Sequence, residues 1–466
     1  MTHLSFPLAD TTSGRLRGRT IDGVHTFLGV PYALPFERDR RFAPPEELHT
    51  PNAARDTSTW AAAPPQTKSR LETTMGPMPM RHQSEDCLYL NVWVPEHEEN
   101  TQLPVLVWIH GGGYLFGAAA TDWYEGSILA KEQHVIVVTV GFRVGILGYH
   151  NDPAQGIANL GMQDQLLALK WIQQNISSFG GDNSNVTLAG QSSGAHSVMA
   201  VASTYSRQEQ KPFDRIMLFS PPAGMNIPPA GDASELLSKA GLPPTKELKN
   251  LPVSQILTIQ NQIVATRQQW GTIDWPFQLC IDGRTLISDQ QHILRNLGEM
   301  PLPTFIMWTA DEGATHFAAD KSSQQLTSQE IYHRLMAVSH DYAAAFTQED
   351  TSDPQTPAIW SLAKLIGRQM YTDGSRTLVE QREANHLPTV FKLFDIKSKA
   401  FDGNLGAGHA TDLPYIFGNY SAWKQAPSLI GTSKTEFNAR SRKLRELIAG
   451  FMTCPVKTMH TIKSGN

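Results

Sequence analysis

The chain has 466 residues, 40% hydrophobic, 18% charged and 9% aromatic, with 39 basic against 44 acidic side chains and a formal charge of −5. That balance excludes a disordered chain and argues against a nucleic-acid partner, which calls for a basic surface. The longest apolar runs, 105–109 and 135–140, fall well short of the roughly 18 residues needed to span a bilayer, so no membrane span is expected.

Cys87, Cys280 and Cys454 lie far apart without CxxC or CxxH spacing, which excludes a disulfide framework and a Cys-based zinc site. The N-terminal residues have neither a basic region nor a long apolar one. No secretory signal is therefore expected, and a reducing cytoplasm is the expected setting. Length alone sets a prior of about three domains.

In chain order, a buried-strand run over 103–110 ends in glycines, and a second over 135–140 ends in Gly141 and Phe142. Helical spacing follows over 159–176, where Leu160, Leu166, Leu167, Leu169, Trp171, Ile172 and Ile176 form one broad apolar face that Gly180 and Gly181 terminate. A short strand at 186–189, a small-residue helix at 193–202 and a strand at 215–219 come next, with later strands at 303–309 and 389–395. Strands alternating with helices imply an α/β fold, a mostly parallel, doubly wound central sheet with helices on both faces. Segments 225–297 and 319–366 read as helix and loop, expected as insertions over one end of that sheet.

Gly190, Gln191, Ser192, Ser193 and Gly194 match GxSxG between a predicted strand and a predicted helix. The motif needs that context, because a serine is exposed at such a turn only where glycines on either side let the chain bend sharply. His110, Gly111, Gly112 and Gly113 follow the 103–109 strand. Three consecutive glycines destabilise a chain unless the backbone has a task, here the aiming of amides at the oxyanion of a tetrahedral intermediate. The bland alternatives are an idle glycine-rich turn and a flexible loop; the two motifs together point to acyl transfer.

A serine hydroxyl needs a general base, and the base needs a carboxylate to hold its tautomer. Asp311 and Glu312 both follow the 303–309 strand directly, and His409 lies in a glycine-rich loop past 389–395. Pattern alone leaves Asp311 and Glu312 open. His292 and His333 fall in helical stretches and His460 in the C-terminal tail, so they are read as surface or satisfied polar groups.

At this point the chain resembles the type-B carboxylesterase and cholinesterase-like group of α/β-hydrolases over about 14–418. The resemblance is carried by FLGVPY (27–32), SEDCLYLN (84–91), WIHGGGY (108–114) and the segment 159–194. It implies Glu312, in DEG, as the acid and His409 as the base for the nucleophile Ser192. Gly112, Gly113 and Ser193 are the implied oxyanion amides, with Ser220 as a hydrogen-bonding support for the acid and histidine. Arg41 with Glu85 and Arg143 with Asp164 are expected as structural salt bridges.

The departures are informative as well. Gln191 stands where the family usually carries glutamate, which removes a negative charge beside the nucleophile. Pro77 occupies about the position of a choline-binding tryptophan, so no cation-π choline site is expected. Cys87 matches half of the family's first disulfide without a preceding cysteine, in agreement with a cytoplasmic protein.

The expectation is a serine carboxylesterase acting through an acyl-enzyme on neutral, fairly hydrophobic small-molecule esters, with no cofactor and no metal. Its organisation is expected to be a single domain over 1–466, a monomer or weak homo-oligomer. Tyr114, Phe116, Trp123 and Phe317 are candidates for the pocket wall. The alternatives are an amidase, carbamate or toxin-ester hydrolase with the same triad, or a non-catalytic binding protein on the same fold.

Overall fold

The computed structural model describes residues 6–36, 40–79, 81–98, 101–206, 208–272, 274–349, 356–455 and the short strand 462–463. The strands in chain order are β1 (Leu8–Thr11), β2 (Gly14–Arg17), β3 (Arg19–Ile21), β4 (Val24–Pro31), β5 (Ala54–Asp56), β6 (Tyr89–Pro95) and β7 (Leu103–Ile109). They continue with β8 (Ile136–Val140), β9 (Gly181–Gln191), β10 (Arg215–Phe219), β11 (Thr304–Thr309), β12 (Thr389–Phe394) and β13 (Ile462–Lys463). The main sheet runs β13, β12, β11, β10, β9, β7, β8, β6, β4, β3, and β1, β2 and β5 form a small second sheet. From β8 across to β13 all pairings are parallel. The other flank, β8 to β6 to β4 to β3, is antiparallel.

The parallel half follows the apolar runs, with ends moved by a residue or two. The short strand expected at 186–189 is the interior of the longer β9, whose first half is polar and only partly buried and so carries no apolar signal. The antiparallel flank went unread because its register is set by partners far along the chain, such as Val24 opposite Pro95.

Period-two alternation divides β7 and β8 between the two faces of the sheet. Val105, Val107, Ile109, Ile136, Val138 and Val140 face one apolar cluster. There the helix Leu160–Asn175 contributes Leu160, Leu169, Trp171 and Ile172. Leu106, Trp108 and Val137 face the other, with Phe437, Leu444, Ile448 and Phe451 of the long helix Lys434–Thr453. Both faces are covered, which is why these strands read as continuous apolar runs.

In segment 225–297, Leu237, Leu248, Ile256 and Ile263 join the first cluster. Segment 319–366 builds a smaller cluster around Ile331, Leu335, Phe346 and Leu362. Among the described residues no helix is long and apolar enough to cross a membrane.

Two ion pairs brace the loops around the sheet. Arg143 and Asp164 meet at 2.6 Å with both side chains fully buried. The Arg143 amide and Nε share Asp164 Oδ2, and Nη1 donates to the Ala43 carbonyl. Arg41 pairs with Glu85 and also donates to the carbonyls of Leu248, Lys249 and Leu251, which ties the first insertion to the body. The carboxyl ends of β7, β9, β11 and β12 point to one edge, where α/β sheets bind ligands. The chain leaves them at His110, Ser192, Ala310 and Asp395.

Candidate active site

Ser192 lies between β9 and the helix Ser193–Thr204 with φ 56° and ψ −126°. This is a region a side-chain-bearing residue adopts only under tertiary constraint. A Cβ at Gly190 would run into the Gly194 backbone, and one at Gly194 into the Ile109 and His110 carbonyls, so both flanking glycines are required by space. The turn leaves the Ser192 side chain within 2.9 Å of His409 Nε2.

His409 Nδ1 lies 2.6 Å from Glu312 Oε2, and Glu312 Oε1 accepts the Thr309 amide at 2.8 Å. The His409 amide donates back to the Glu312 carbonyl. With Nδ1–H directed at a carboxylate, Nε2 presents a lone pair to the Ser192 hydroxyl. Asp311, the other carboxylate left open by pattern, does different work: its Oδ2 accepts the Ala407 amide at 2.9 Å and so clamps the histidine loop onto the end of β11.

Opposite this relay, the glycine turn after β7 carries Gly112 at φ 120° and Gly113 at φ 61°. A Cβ on Gly112 would meet the Phe116 carbonyl, so only glycine fits there. Among the described residues the amides of Gly112 and Gly113 have no acceptor. Ser193 ties the two motifs together, its Oγ accepting the Tyr114 amide at 3.3 Å. Gly112, Gly113, Ser192 and His409 border one cavity of about 800 Å³, walled by Leu115, Phe116, Trp270, Trp275, Phe317, Ile366 and Tyr371.

Of the four pocket candidates, Phe116 and Phe317 border this cavity, and the other two do not. Trp123 is stacked on Trp423 at 4.3 Å within the apolar cluster on the far face of the sheet. Tyr114 is turned beneath the glycine turn, its hydroxyl 3.1 Å from His196 Nδ1 and its ring edge-on to Trp275. Aromatic residues close to a motif in sequence do not reveal which side of the loop they face.

Ser220 is also corrected. It is fully buried with φ 45°, and its Oγ has no hydrogen-bond partner among the described residues, so it makes no bond to Glu312 or His409. Gln191 is in contact, its Nε2 3.4 Å from His409 Nε2.

The sequence reading missed three groups. Tyr371 lies against His409 at the end of an inserted helix, where no local motif marks it. His316 closes the turn Glu312–His316 and opens onto the cavity. Asp412, three residues past His409, is pushed up to about 7 by burial and by the Glu312 carboxylate, while His409 opposes the shift. Among the described residues no group of three or more His, Cys, Asp or Glu side chains is arranged to hold a metal ion.

The family model described as the carboxylesterase family matches residues 5–457. The chain is 31% identical to a phenmedipham hydrolase of Pseudarthrobacter oxydans over 91% of its own length and 85% of that protein. It is 29% identical to a probable N-octanoylanthranilate hydrolase of Rhodococcus erythropolis (98% and 96% covered) and 29% identical to the para-nitrobenzyl esterase of Bacillus subtilis (90% and 84%). Among solved structures, a thermophilic para-nitrobenzyl esterase superposes with a TM-score of 0.81 at 25% identity, covering 99% of this chain and 93% of that one. The chain belongs to the carboxylesterase family and has its α/β-hydrolase fold.

Proposed function

We propose that Ser192, His409 and Glu312 are the catalytic triad of this carboxylesterase, and that Gly112, Gly113 and Ser193 donate its oxyanion amides. The observation that carries the reading is the continuous relay from Ser192 Oγ to His409 (2.9 Å) to Glu312 (2.6 Å), with Ser192 and His409 on the wall of a single cavity. Ser192 attacks the ester carbonyl as His409 Nε2 takes its proton, and Glu312 holds the imidazolium in place. The amides meet the charge that develops on oxygen. His409 then protonates the departing alcohol, and water hydrolyses the acyl-enzyme by the same path in reverse.

The substrate in this reading is a neutral, fairly hydrophobic ester, which the aromatic wall and the uncharged Gln191 support. The chain acts as one catalytic unit with 225–297 and 319–366 shaping the mouth. Trp270 and Trp275 from the first and Ile366 from the second, all bordering the cavity, support this. A reducing cytoplasm is the setting, supported by the buried free thiols Cys87 and Cys280, the second pushed up to about 12 by burial. A second reading, cleavage of an N-acyl bond, is favoured by the relative named for N-octanoylanthranilate.

Ser192→Ala is expected to abolish turnover of p-nitrophenyl butyrate and stoichiometric labelling by a fluorophosphonate. Full turnover by that variant overturns the assignment, and a wild-type protein that neither turns over nor labels points to a binding protein.

A further inference from the structure

A chain of buried hydrogen bonds runs beneath the glycine turn that presents the Gly112 and Gly113 amides. Tyr114, the next residue, has φ 61°, a left-handed backbone that a residue with a side chain keeps only where its surroundings impose it. Its amide donates to Ser193 Oγ at 3.3 Å, and its carbonyl accepts the Gly145 amide at 2.7 Å. Its ring lies against Tyr149, with centroids 4.6 Å apart, and edge-on to Trp275. Its hydroxyl is 3.1 Å from Nδ1 of His196, which stands one turn into the helix Ser193–Thr204. His196 Nε2 lies 2.9 Å from Gln290 Oε1, and Gln290 Nε2 donates to the Ala223 carbonyl at 3.0 Å. Tyr114, His196 and Gln290 are all buried.

The far end of this chain sets its direction. A carbonyl only accepts, so the Gln290 amide turns its nitrogen to Ala223 and its oxygen to His196. That oxygen calls for Nε2–H on the imidazole. Burial keeps the ring neutral, so Nδ1 is left with a lone pair, and the Tyr114 hydroxyl donates to it. Every link then has one donor and one acceptor. Gln290 opens the helix Gln290–Glu299 of the first insertion and Ala223 follows β10, so the chain fastens Tyr114 to two elements far away in sequence. An amide stabilises a developing oxyanion most when it is fixed before the charge appears. Glycine is the residue freest to move, and the first side chain past the glycines that can fix the turn is that of Tyr114.

We infer that Tyr114 and His196 are positioning residues for acyl transfer, a hydrogen-bonded pair that holds the glycine turn so that its amides are aimed at the oxyanion. The inference rests on the reading above that the Gly112 and Gly113 amides serve that oxyanion. Neither Tyr114 nor His196 borders the catalytic cavity, so both act through the turn and neither meets the substrate.

The test compares p-nitrophenyl butyrate with its thiono analogue, in which the carbonyl oxygen is replaced by sulfur, a weak acceptor that gains little from aimed amides. Rates are normalised to sites titrated with a fluorophosphonate, so unfolded protein does not count. Wild-type protein is expected to prefer the oxo ester in kcat/KM. In Tyr114→Phe, which keeps the ring, that preference is expected to fall about tenfold, because loss on the oxo ester exceeds loss on the thiono ester. His196→Leu is expected to lower it by a similar factor, and the double variant to lower it no further, since each change breaks the same link. A wild-type preference retained by Tyr114→Phe, equal losses on the two esters, or losses that multiply in the double variant overturn the inference. A wild-type protein that labels yet treats both esters alike removes the oxyanion assignment and the inference with it, a failure distinct from variants that keep the wild-type preference.

Discussion

At the scale of single residues, each side chain of the proposed triad is held in place from its far side. Glu312 is fixed by the Thr309 amide, His409 by Glu312 and by the loop that Asp311 clamps, and Ser192 by a turn only two glycines allow. Much of this was legible: GQSSG and HGGG each demand a backbone shape, and few residue types satisfy it. The choice between Asp311 and Glu312 was not legible from pattern, because both follow β11 and only the register of the loop against Ala407 separates them. Gln191 tests the electrostatics of this arrangement directly. Its amide lies 3.4 Å from His409 Nε2, so Gln191→Glu puts a carboxylate beside the imidazole. A negative neighbour favours the imidazolium. The acid limb of the kcat/KM profile for p-nitrophenyl butyrate is therefore expected to move to higher pH, with slower turnover near pH 7. A profile that superposes on the wild type would mean that the carboxylate of the variant points away from His409.

At the scale of elements, the parallel strands were readable because both of their faces are buried, and the antiparallel flank was not because its pattern is mixed and its partners distant. Helices in the insertions were expected as a class, but the π-helical turn Arg368–Thr372 that follows them and carries Tyr371 is one that no periodicity announces. Trp123 and Tyr114, expected in the pocket wall, are instead packed on Trp423 and turned toward His196. The Arg143–Asp164 pair joins the loop after β8 to the helix Leu160–Asn175 with three hydrogen bonds and no solvent. Removing one partner of a fully buried pair leaves an uncompensated charge and costs about 3–5 kcal/mol. Asp164→Asn is expected to lower the free energy of unfolding by that amount in urea titration, while the fraction still folded keeps its fluorophosphonate titre. A loss under 1 kcal/mol would show that the Arg143 charge finds relief from the Ala43 carbonyl alone.

At the scale of the whole molecule, the insertions are fastened to the ten-stranded sheet in part through neutral histidines. His196, behind the nucleophile, bonds Gln290 of the helix Gln290–Glu299 and the Tyr114 hydroxyl. His150 bonds Thr245 Oγ1, and His110 stacks on Phe142 at 4.2 Å. Burial pushes each of these three imidazoles down to about 4. An unfolded histidine takes its proton near 6.5, so below that pH the unfolded chain binds more protons than the folded one. The stability these groups contribute is therefore fully present above pH 6.5 and is lost as the pH falls toward 4, by on the order of 3 kcal/mol for each histidine. Asp412 acts in the opposite sense. Its carboxyl, pushed up to about 7, binds a proton in the folded state first, so it favours folding as the pH drops below 7 and offsets roughly one of the three histidines. Urea unfolding at pH 7.5, 5.5 and 4.5 is expected to show a net loss of several kcal/mol across the series, and Asp412→Asn, which removes the offset, is expected to steepen it. Stability that stays level from pH 7.5 to 4.5 in both proteins would show that the buried imidazoles accept protons without unfolding, and that the insertions are held by their apolar contacts alone.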